Sequence, residues 1–333
     1  MENIIFIKKQ DIKDKLTITL KQELKNIFKE NEKIAVKLHM GEKGNKYFLK
    51  PELVKVVVGV LRELGAKPFL FDSPVMYPGG RSTPEKYLRT AEEHGFSEES
   101  MGCPVVVSDD FIEHKTDNLN VQVCKLLAEA DGMLVLSHVK GHMCCGFGGA
   151  IKNLGMGGVA IKTKKDIHSL ANPVFVGDCM GCESCVKACP VGTIAMKDGK
   201  ADFNYEGCWG CGVCIDMCPA NVLKHKIASF DRLLAEGAYG VLEKSKKYYF
   251  VNVMKDITKW CDCCGNPGGI IAEDVGLLMG KDIVSIEKAS IDLINKKAGK
   301  DVFFEANKKS PLEQIKEAEK LGMGSLDYEL VEK

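Results

Sequence analysis

Short apolar runs alternate with segments of helical periodicity along the first part of the chain. IAVKLHM (34–40) is an apolar run typical of a buried strand. KPELVKVVVGVLRELGA (50–66) follows, with Pro51 suited to a first helical turn and Gly65 to a helix end. KPFLFDS (67–73) predicts a second strand. Together these segments predict a β–α–β unit.

The same alternation continues further along the chain. We expect strands at PVVVSD (104–109), MLVLSHVK (133–140) and YYFVNVM (248–254), and helices around 120–132, 283–299 and 311–322. Strands that alternate with helices favour an α/β fold, with a mostly parallel sheet covered by helices on both faces.

The pattern breaks at about residue 173, where cysteine and glycine begin to dominate, and it resumes after about residue 225. We therefore expect a discontinuous α/β domain, residues 1–172 and 226–333, with a small α+β domain inserted at 173–225. Two independent α/β domains flanking the insertion are the alternative. The few strands in the C-terminal part disfavour it.

Two cysteine runs in this segment repeat the pattern C-x2-C-x2-C-x3-C-P: CMGCESCVKACP (179–190) and CWGCGVCIDMCP (208–219). This is the spacing of bacterial two-cluster ferredoxins, in which the fourth cysteine of each run serves the other cluster. The spacing predicts one [4Fe–4S] cluster on Cys179, Cys182, Cys185 and Cys218, and a second on Cys208, Cys211, Cys214 and Cys189. A pair of zinc ribbons is the alternative, but a ribbon uses two cysteines per knuckle. Asp198-Gly199, between the runs, is a hairpin turn signal.

Composition narrows the class of protein. Lys+Arg and Asp+Glu balance at 46 each among 333 residues, which gives no sign of a nucleic-acid partner or a membrane surface. We identify no secretory signal and no apolar run long enough to span a membrane. Fifteen cysteines in that setting indicate thiolate chemistry in a reducing cytoplasm, and therefore an oxygen-sensitive, anaerobic protein.

Polar residues collect where the predicted strands end, which is where ligands bind in parallel sheets. They are Lys37, His39, Glu42, Asp72, Ser73, His138, Lys140 and His142. Each histidine alone is better explained as a satisfied, partly buried residue or a loop residue than as a functional one. Their convergence favours a pocket, in which Lys140 would help to bind an anionic group and His142 or His39 would transfer protons.

GHMCCGFGGAIKNLGMGG (141–158) is rich in glycine, and Gly146, Gly148 and Gly149 would let the backbone approach a ligand or cofactor closely. Lys152 is a candidate for binding phosphate or carboxylate, or else a solvated lysine at a helix start. Adjacent Cys144 and Cys145 have a plain interpretation as a small buried or loop pair.

WCDCCG (260–265) follows the strand predicted at 248–254 and can reach the same rim. Cys261, with Cys263 or Cys264, would give two thiolates to a soft metal or act as a redox pair. The alternative is a cysteine-rich turn without a metal.

Nearly the whole chain resembles the iron–sulfur center proteins grouped as domain of unknown function 362. The residues that carry the resemblance are SHVKGHMCCGFGGAIKNLGMG, the cysteine cassette, and CDCC followed by IAEDVGLLMGKDIVSIEKASIDLI. The resemblance implies an α/β domain with an inserted two-cluster ferredoxin domain. It implies no defined reaction.

GHMCCGFGGAIK also looks like the histidine, glycine-rich and lysine stretch of the nickel-pincer lactate racemase family. In that family the histidine lies near the cofactor and the lysine anchors it covalently, so that His142 and Lys152 are the matching positions. FDSPVMYPGGRSTPEKYL (71–88), after its strand, also resembles that family's loop of small polar residues and arginine, with Arg81 as the candidate position. The chain departs from those racemases in carrying the ferredoxin cassette and CDCC.

Three functions follow from these features. The first is an iron–sulfur oxidoreductase, or its electron-transfer component, that passes single electrons through two [4Fe–4S] clusters to an anionic ligand at Lys152, His142 and Lys140. The second is a non-catalytic electron carrier that docks to a partner oxidoreductase. The third is a racemase-like or metal-handling protein with regulatory clusters. A redox partner protein is expected in the first two.

Overall fold

A computed structural model of the chain describes residues 2–333 and has one large sheet at its centre. The strands, in chain order, are β1 (Glu2–Lys8), β2 (Lys33–Lys37), β3 (Lys67–Asp72), β4 (Val105–Val107), β5 (Phe111–Lys115), β6 (Asn120–Cys124), β7 (Gly132–His138), β8 (Lys140–His142), β9 (Gly146–Gly148), β10 (Pro173–Phe175), β11 (Ile194–Lys197), β12 (Lys200–Phe203), β13 (Leu223–His225), β14 (Tyr248–Met254), β15 (Gly276–Gly280) and β16 (Tyr328–Glu332).

The α-helices, in chain order, are α1 (Ile12–Leu24), α2 (Pro51–Glu63), α3 (Pro84–Glu93), α4 (Glu98–Met101), α5 (Lys125–Glu129), α6 (Ala150–Gly157), α7 (Ile161–Leu170), α8 (Ser184–Ala188), α9 (Val213–Asp216), α10 (Phe230–Lys244), α11 (Ile283–Ala298), α12 (Val302–Asn307) and α13 (Glu313–Lys320), and a short 3-10 helix spans Lys9–Asp11. None of these helices is both long and apolar enough to cross a membrane.

The central sheet has eight strands in the order β16-β1-β15-β14-β7-β2-β3-β4. The strands run parallel to one another except β15, which is antiparallel to both of its neighbours. Consequently β2, β3, β7 and β14 all end at the same edge of the sheet. The prediction of a mostly parallel α/β sheet is confirmed.

Side chains from the sheet alternate between two separate apolar cores. On β7, Met133 and Val135 point into one core, while Leu134 and Leu136 point into the other. Helices α6, α10 and α11 pack on the first face, and α1 and α2 on the second. Strands covered on both faces need continuous apolar runs, which explains why the strands predicted here are runs rather than alternating patterns.

Several predicted elements are confirmed with close boundaries. The strand predicted at 248–254 is β14, and the helix predicted at 283–299 is α11. Helix α11 begins at an N-cap, Asp282, whose carboxylate accepts from the backbone N–H groups of Val284 and Ser285. It ends at Gly299, which has a φ of 71°.

The helix predicted around 120–132 is wrong over its first half. Residues Asn120–Cys124 form β6, which pairs in an antiparallel hairpin with β5, and only Lys125–Glu129 is helical. Val121 and Val123 are β-branched and alternate with polar residues, which suits a strand. These residues form a strand rather than a helix because β5 lies beside them and pairs with them.

The cysteine-rich segment 173–225 has small elements of its own. β10 pairs with β13, which brings the two ends of the segment together. β11 and β12 form a hairpin whose turn residues Asp198 and Gly199 have φ of 49° and 74°, as a two-residue turn requires. A third apolar cluster, separate from the two on the sheet, includes Cys185 and Cys214. These elements agree with an inserted domain, which stays a prediction.

Candidate functional site

The loop between β14 and β15 carries Cys261, Cys263 and Cys264 to the residues that follow β7 and precede α6. Ligand atoms of His142, Cys261 and Cys263 all lie within 4.8 Å of one another, a spacing that could hold a metal ion. Cys261 and Cys263 form a disulfide, with Cα atoms 5.3 Å apart. The sulfurs and the imidazole therefore face one small space.

Lys152 points into the same space from the first turns of α6. Its Nζ lies 3.4 Å from Cys261 Sγ and 3.9 Å from Cys263 Sγ. Burial lowers the pKa of Lys152 below the usual value for lysine, while the thiols of Cys145 and Cys264 act in the opposite direction. A cation held next to these sulfurs can stabilise a thiolate or an anionic ligand.

His142 is held from its other side. Nδ1 lies 3.1 Å from Cys145 Sγ, and the Cys144 backbone N–H donates to it at 3.2 Å. Burial, then the nearby charge of Lys152, lowers the pKa of His142 well below its usual range. The ring is therefore neutral at physiological pH, which suits a ligand or a proton acceptor.

Asp262 anchors the 261–264 loop to the end of β7. Its Oδ2 lies 2.8 Å from His138 Nδ1, and its Oδ1 lies 3.7 Å from Lys140 Nζ. Burial raises the pKa of Asp262, but His138 and Lys140 outweigh burial and hold that pKa below its usual value. A buried anion at this position fixes the loop between its two cysteines.

Lys140 has its ammonium engaged by the protein. Nζ donates to the backbone carbonyl of Tyr47 at 2.9 Å and also to the carbonyl of Asp256. The side chain is 1% exposed. These contacts tie three loops together at the rim.

Arg81 holds the same loop from the opposite side. Its guanidinium pairs with Glu42 at 2.9 Å, donates to Tyr77 Oη at 2.7 Å and reaches the carbonyl of Cys263 at 3.3 Å. Nη1 also lies 2.6 Å from His39 Nε2. His39 thus sits behind Arg81, beside the loop rather than among the sulfurs.

The glycines of the 146–149 stretch make room for the protein's own groups. A Cβ on Gly146 would stand 2.5 Å from the carbonyl oxygen of Lys309, and one on Gly149 would meet the carboxylate of Glu287. On Gly148 it would stand 3.3 Å from Cδ of Lys152. At Gly146 and Gly149 the space next to the backbone, predicted for a ligand, is therefore filled by other parts of the protein.

Other residues predicted at the strand ends form a network of their own. Lys37 Nζ pairs with Asp72 Oδ1 at 3.0 Å and donates to Asn153 Oδ1 at 2.6 Å. The Ser73 hydroxyl lies 2.9 Å from the carbonyl oxygen of Gly157 and 3.1 Å from that of Val159, and its one proton is available to either. These contacts join the ends of β2 and β3 to α6.

The predicted cluster cysteines fall into two groups. Cys179, Cys182, Cys185 and Cys218 line one cavity, together with apolar residues such as Phe175 and Met196. This cavity draws three cysteines from one run and one from the other. The second group is Cys208, Cys211, Cys214 and Cys189; burial raises the pKa of Cys214 to about 12, and the nearby thiols of Cys211, Cys208, Cys189 and Cys185 add to it. Cross-ligated clusters stay a prediction.

The second group lies against the candidate pocket. The Cys144 thiol donates to the carbonyl of Trp209 at 3.9 Å, and His168 Nδ1 lies 2.9 Å from the same oxygen. Burial, then Cys211, raises the pKa of Cys144 well above its usual value. Cys144 and Cys145 therefore separate the cassette from His142.

Sequence reasoning missed three residues that shape this site: Asp262, Tyr77 and Glu287. Asp262 lies between Cys261 and Cys263, both of which were predicted site residues, so its place in the sequence could have identified it. Glu287 lies in a helix far along the chain and accepts from the N–H of Ala150 at the start of α6. Nothing local in the sequence marks that contact.

Comparisons with known proteins give a family and remote structural likenesses. The profile of the family described as domain of unknown function (DUF362) matches residues 34–292. No curated protein matches the chain significantly. A protein of known structure from Thermotoga maritima shares 12% identity, with 72% of this chain and 50% of that chain covered and a TM-score of 0.42.

The lactate racemase apoprotein from Thermoanaerobacterium thermosaccharolyticum also shares 12% identity, with 76% and 51% coverage and a TM-score of 0.39. The chain thus spans about half the length of both solved structures.

Proposed function

The chain belongs to the DUF362 family, and from this premise we propose that it is an iron–sulfur oxidoreductase, or the electron-transfer component of one. Electrons would arrive through two [4Fe–4S] clusters held by the cassette. They would be used at the pocket formed by His142, Lys152 and the 261–264 loop.

The two cysteine groups fit cubane clusters in number and in donor chemistry. Four thiols line one cavity, and the other four lie close enough to influence each other's pKa. Bound there, the clusters would supply single-electron transfer. Apolar side chains such as Phe175 and Met196 line the same cavity as the first group.

One observation carries the proposal: Cys144 contacts the backbone of Trp209, which lies between Cys208 and Cys211. Cys145, the next residue, contacts His142 at 3.1 Å. A short packed path therefore leads from the cassette to the pocket. If the cassette only carried electrons to another protein, it would not need a contact with this pocket.

Within the pocket, we assign anion binding to Lys152. The ammonium of Lys140 already donates to two carbonyls, whereas Lys152 faces only sulfurs. His142 would face the bound ligand as a neutral ring, because burial and the charge of Lys152 lower its pKa. A small carboxylate or phosphate ester is the ligand class that matches these groups.

A second candidate function is an electron carrier that docks to a partner oxidoreductase. Apolar side chains are exposed beside the first cysteine group: Val176 is 58% exposed and Met180 is 67% exposed. Cys182 is itself exposed. A redox partner protein would dock on this side in either function, since electrons must reach the first cluster.

The test is a reoxidation assay on protein purified without oxygen. Iron and acid-labile sulfide are measured first, with about eight of each per chain expected. The clusters are then reduced with dithionite, the excess is removed, and reoxidation is followed by visible absorbance against a panel of carboxylates and phosphate esters that also carry a reducible carbonyl or carbon–carbon double bond. We expect at least one compound to reoxidise the clusters faster than buffer does.

Lys152→Ala should abolish that acceleration while iron and sulfide stay unchanged. Lys162→Ala, an exposed lysine on α7, is the matched control and should behave as the wild type. If no compound accelerates reoxidation and a partner protein does so equally in both variants, the carrier function is correct instead.

A further inference from the structure

We propose that Cys261, Cys263 and His142 form a third metal site, distinct from the two cluster sites, for one thiophilic divalent ion such as Zn²⁺. Their ligand atoms lie within 4.8 Å of one another although they come from two loops far apart in sequence. The proposal rests on the proposed function only for the cellular source of electrons. The ion itself can be measured without it.

The donor set selects the class of metal. Two thiolates and one imidazole suit soft or borderline transition metals, whereas Mg²⁺ and Ca²⁺ prefer oxygen ligands. The nearby carboxylates have partners, since Glu42 pairs with Arg81 and Asp262 contacts His138 through Oδ2. Oδ1 of Asp262 accepts no hydrogen bond, but one oxygen falls far short of the roughly six to eight oxygen ligands that Ca²⁺ takes.

The number of ligands indicates the kind of site. Three protein ligands leave the fourth position of a tetrahedron open to water or substrate, as in catalytic rather than structural zinc sites. Lys152 Nζ, 3.4 Å from Cys261 Sγ, lies beside this space. Two thiolates neutralise a divalent ion, so the charge of Lys152 remains available to an anionic ligand.

The ligands are supported by surrounding contacts. Nδ1 of His142 lies 3.1 Å from Cys145 Sγ. With the ion on Nε2, the ring proton moves to Nδ1 and is donated to Cys145 Sγ, in place of the hydrogen bond that Nδ1 accepts from the Cys144 N–H in the metal-free ring. The loop is fixed at Asp262 by His138. Such contacts hold ligands in place before the ion binds.

The disulfide between Cys261 and Cys263 is the oxidised form of the same ligand pair. Two electrons break the S–S bond and leave two thiolates, and the divalent ion that they then bind balances their two negative charges. Dithionite supplies these electrons in vitro, and in the cell the reduced cassette would supply them. Metal binding and the disulfide therefore exclude each other.

The experiment is metal analysis of protein purified without oxygen and reduced with dithionite. We expect about eight irons and eight sulfides, plus about one further equivalent of metal, most simply zinc but equally a ninth iron. In a Cys261→Ser, Cys263→Ser double variant the further equivalent should fall about 10-fold or more, while iron and sulfide in the clusters persist. Cys103→Ala, a buried thiol elsewhere, should retain both.

A spectroscopic measurement on the wild-type protein tests the site even if the double variant does not fold. Reduced wild-type protein stripped of the further ion should bind added Co²⁺ with a thiolate-to-cobalt absorption band, and His142→Gln should weaken or shift it. Reduced wild-type protein that holds no further metal and gives no such band overturns the proposal, as does a double variant that keeps the ion. Iron far below about eight with the cobalt band present would instead reject the cluster function and leave this site standing.

Discussion

Nη1 of Arg81 lies 2.6 Å from Nε2 of His39, at the back of the loop that carries Cys261 and Cys263. Arginine is always protonated in proteins, so it must be the donor in this contact. His39 therefore accepts on Nε2 and has no proton there. His39, which follows β2, is therefore a hydrogen-bond acceptor for Arg81 and lies behind the 261–264 loop.

The first prediction is that His39 stays neutral throughout the physiological range. Burial, then the charge of Arg81, lowers the pKa of His39 well below its ordinary value of 6.5. Histidine-selective ¹⁵N NMR between about pH 5 and 8 should show no titration of this ring, with His39→Gln used to assign it. A midpoint near 6.5 would mean that the Arg81 contact does not exist in solution.

The second prediction concerns Arg81 itself. Arg81→Lys keeps the charge but loses the fork that joins Glu42, Tyr77 and the Cys263 carbonyl. We expect weaker ligand or metal binding at the 261–264 loop with unchanged cluster iron. Arg81→Ala should also lower stability by about 3–5 kcal/mol, because Glu42 is left buried without its partner.

Thermal unfolding and metal analysis measure both effects of changing Arg81. Arg89→Lys, an exposed arginine on α3, is the matched control and should change neither quantity. If Arg81→Lys lost cluster iron to the same extent as it lost binding at the 261–264 loop, Arg81 would not act on that loop alone, and the prediction would be wrong.

The strands at the centre of the sheet were predictable because a strand covered on both faces needs a continuous apolar run. β14 follows from YYFVNVM alone. The helix predicted around 120–132 failed because VQVC pairs with β5, a partner that the local pattern does not reveal. The apolar runs and helical periodicity were sufficient to predict the class of fold. They were not sufficient for β6, whose structure depends on pairing with β5.

The candidate site was predictable in part for the same reason. Parallel strands bring their carboxyl ends to one edge, so His142, Lys152 and the CDCC loop could be expected near each other. The contacts that hold them were not predictable. Asp262 reaches His138 and Arg81 reaches Cys263 across long sequence separations, and only the folded chain shows which polar residues are partners.

The third prediction concerns the pH dependence of stability, through Glu287. This carboxylate is fully buried at the start of α6, and burial raises its pKa to about 7. Between 4.5, its ordinary value, and about 7, the unfolded chain releases this proton while the folded chain keeps it. Glu287 therefore costs stability as pH rises through that range, by up to about 3 kcal/mol above it.

Glu287→Gln removes this term and keeps an oxygen to accept from the Ala150 N–H and from Asn252. The gain in melting temperature of the variant over the wild type should be larger at about pH 8 than at about pH 5. Glu99→Gln, an exposed glutamate on α4, is the control. A pH-independent difference would show that Glu287 is ionised in the folded protein throughout.

The last prediction separates crossed from uncrossed ligation of the clusters. Cys179 and Cys218 line one cavity although they belong to different runs, whereas Cys189, from the same run as Cys179, does not line it. Cys179→Ser with Cys218→Ser should therefore damage one cluster and leave about four irons per chain. Cys179→Ser with Cys189→Ser should damage both clusters and leave almost none.

Iron and sulfide analysis of protein purified without oxygen, with EPR after reduction, measures the outcome for both pairs. Both double variants lose two thiols from the same small segment, so a general loss of folding would affect them alike. Only the grouping of the ligands makes them differ. If the Cys179 and Cys189 pair instead keeps about four irons, each run holds its own cluster, and the path from Cys211 through Cys144 to His142 begins at a cluster bound by the second run alone.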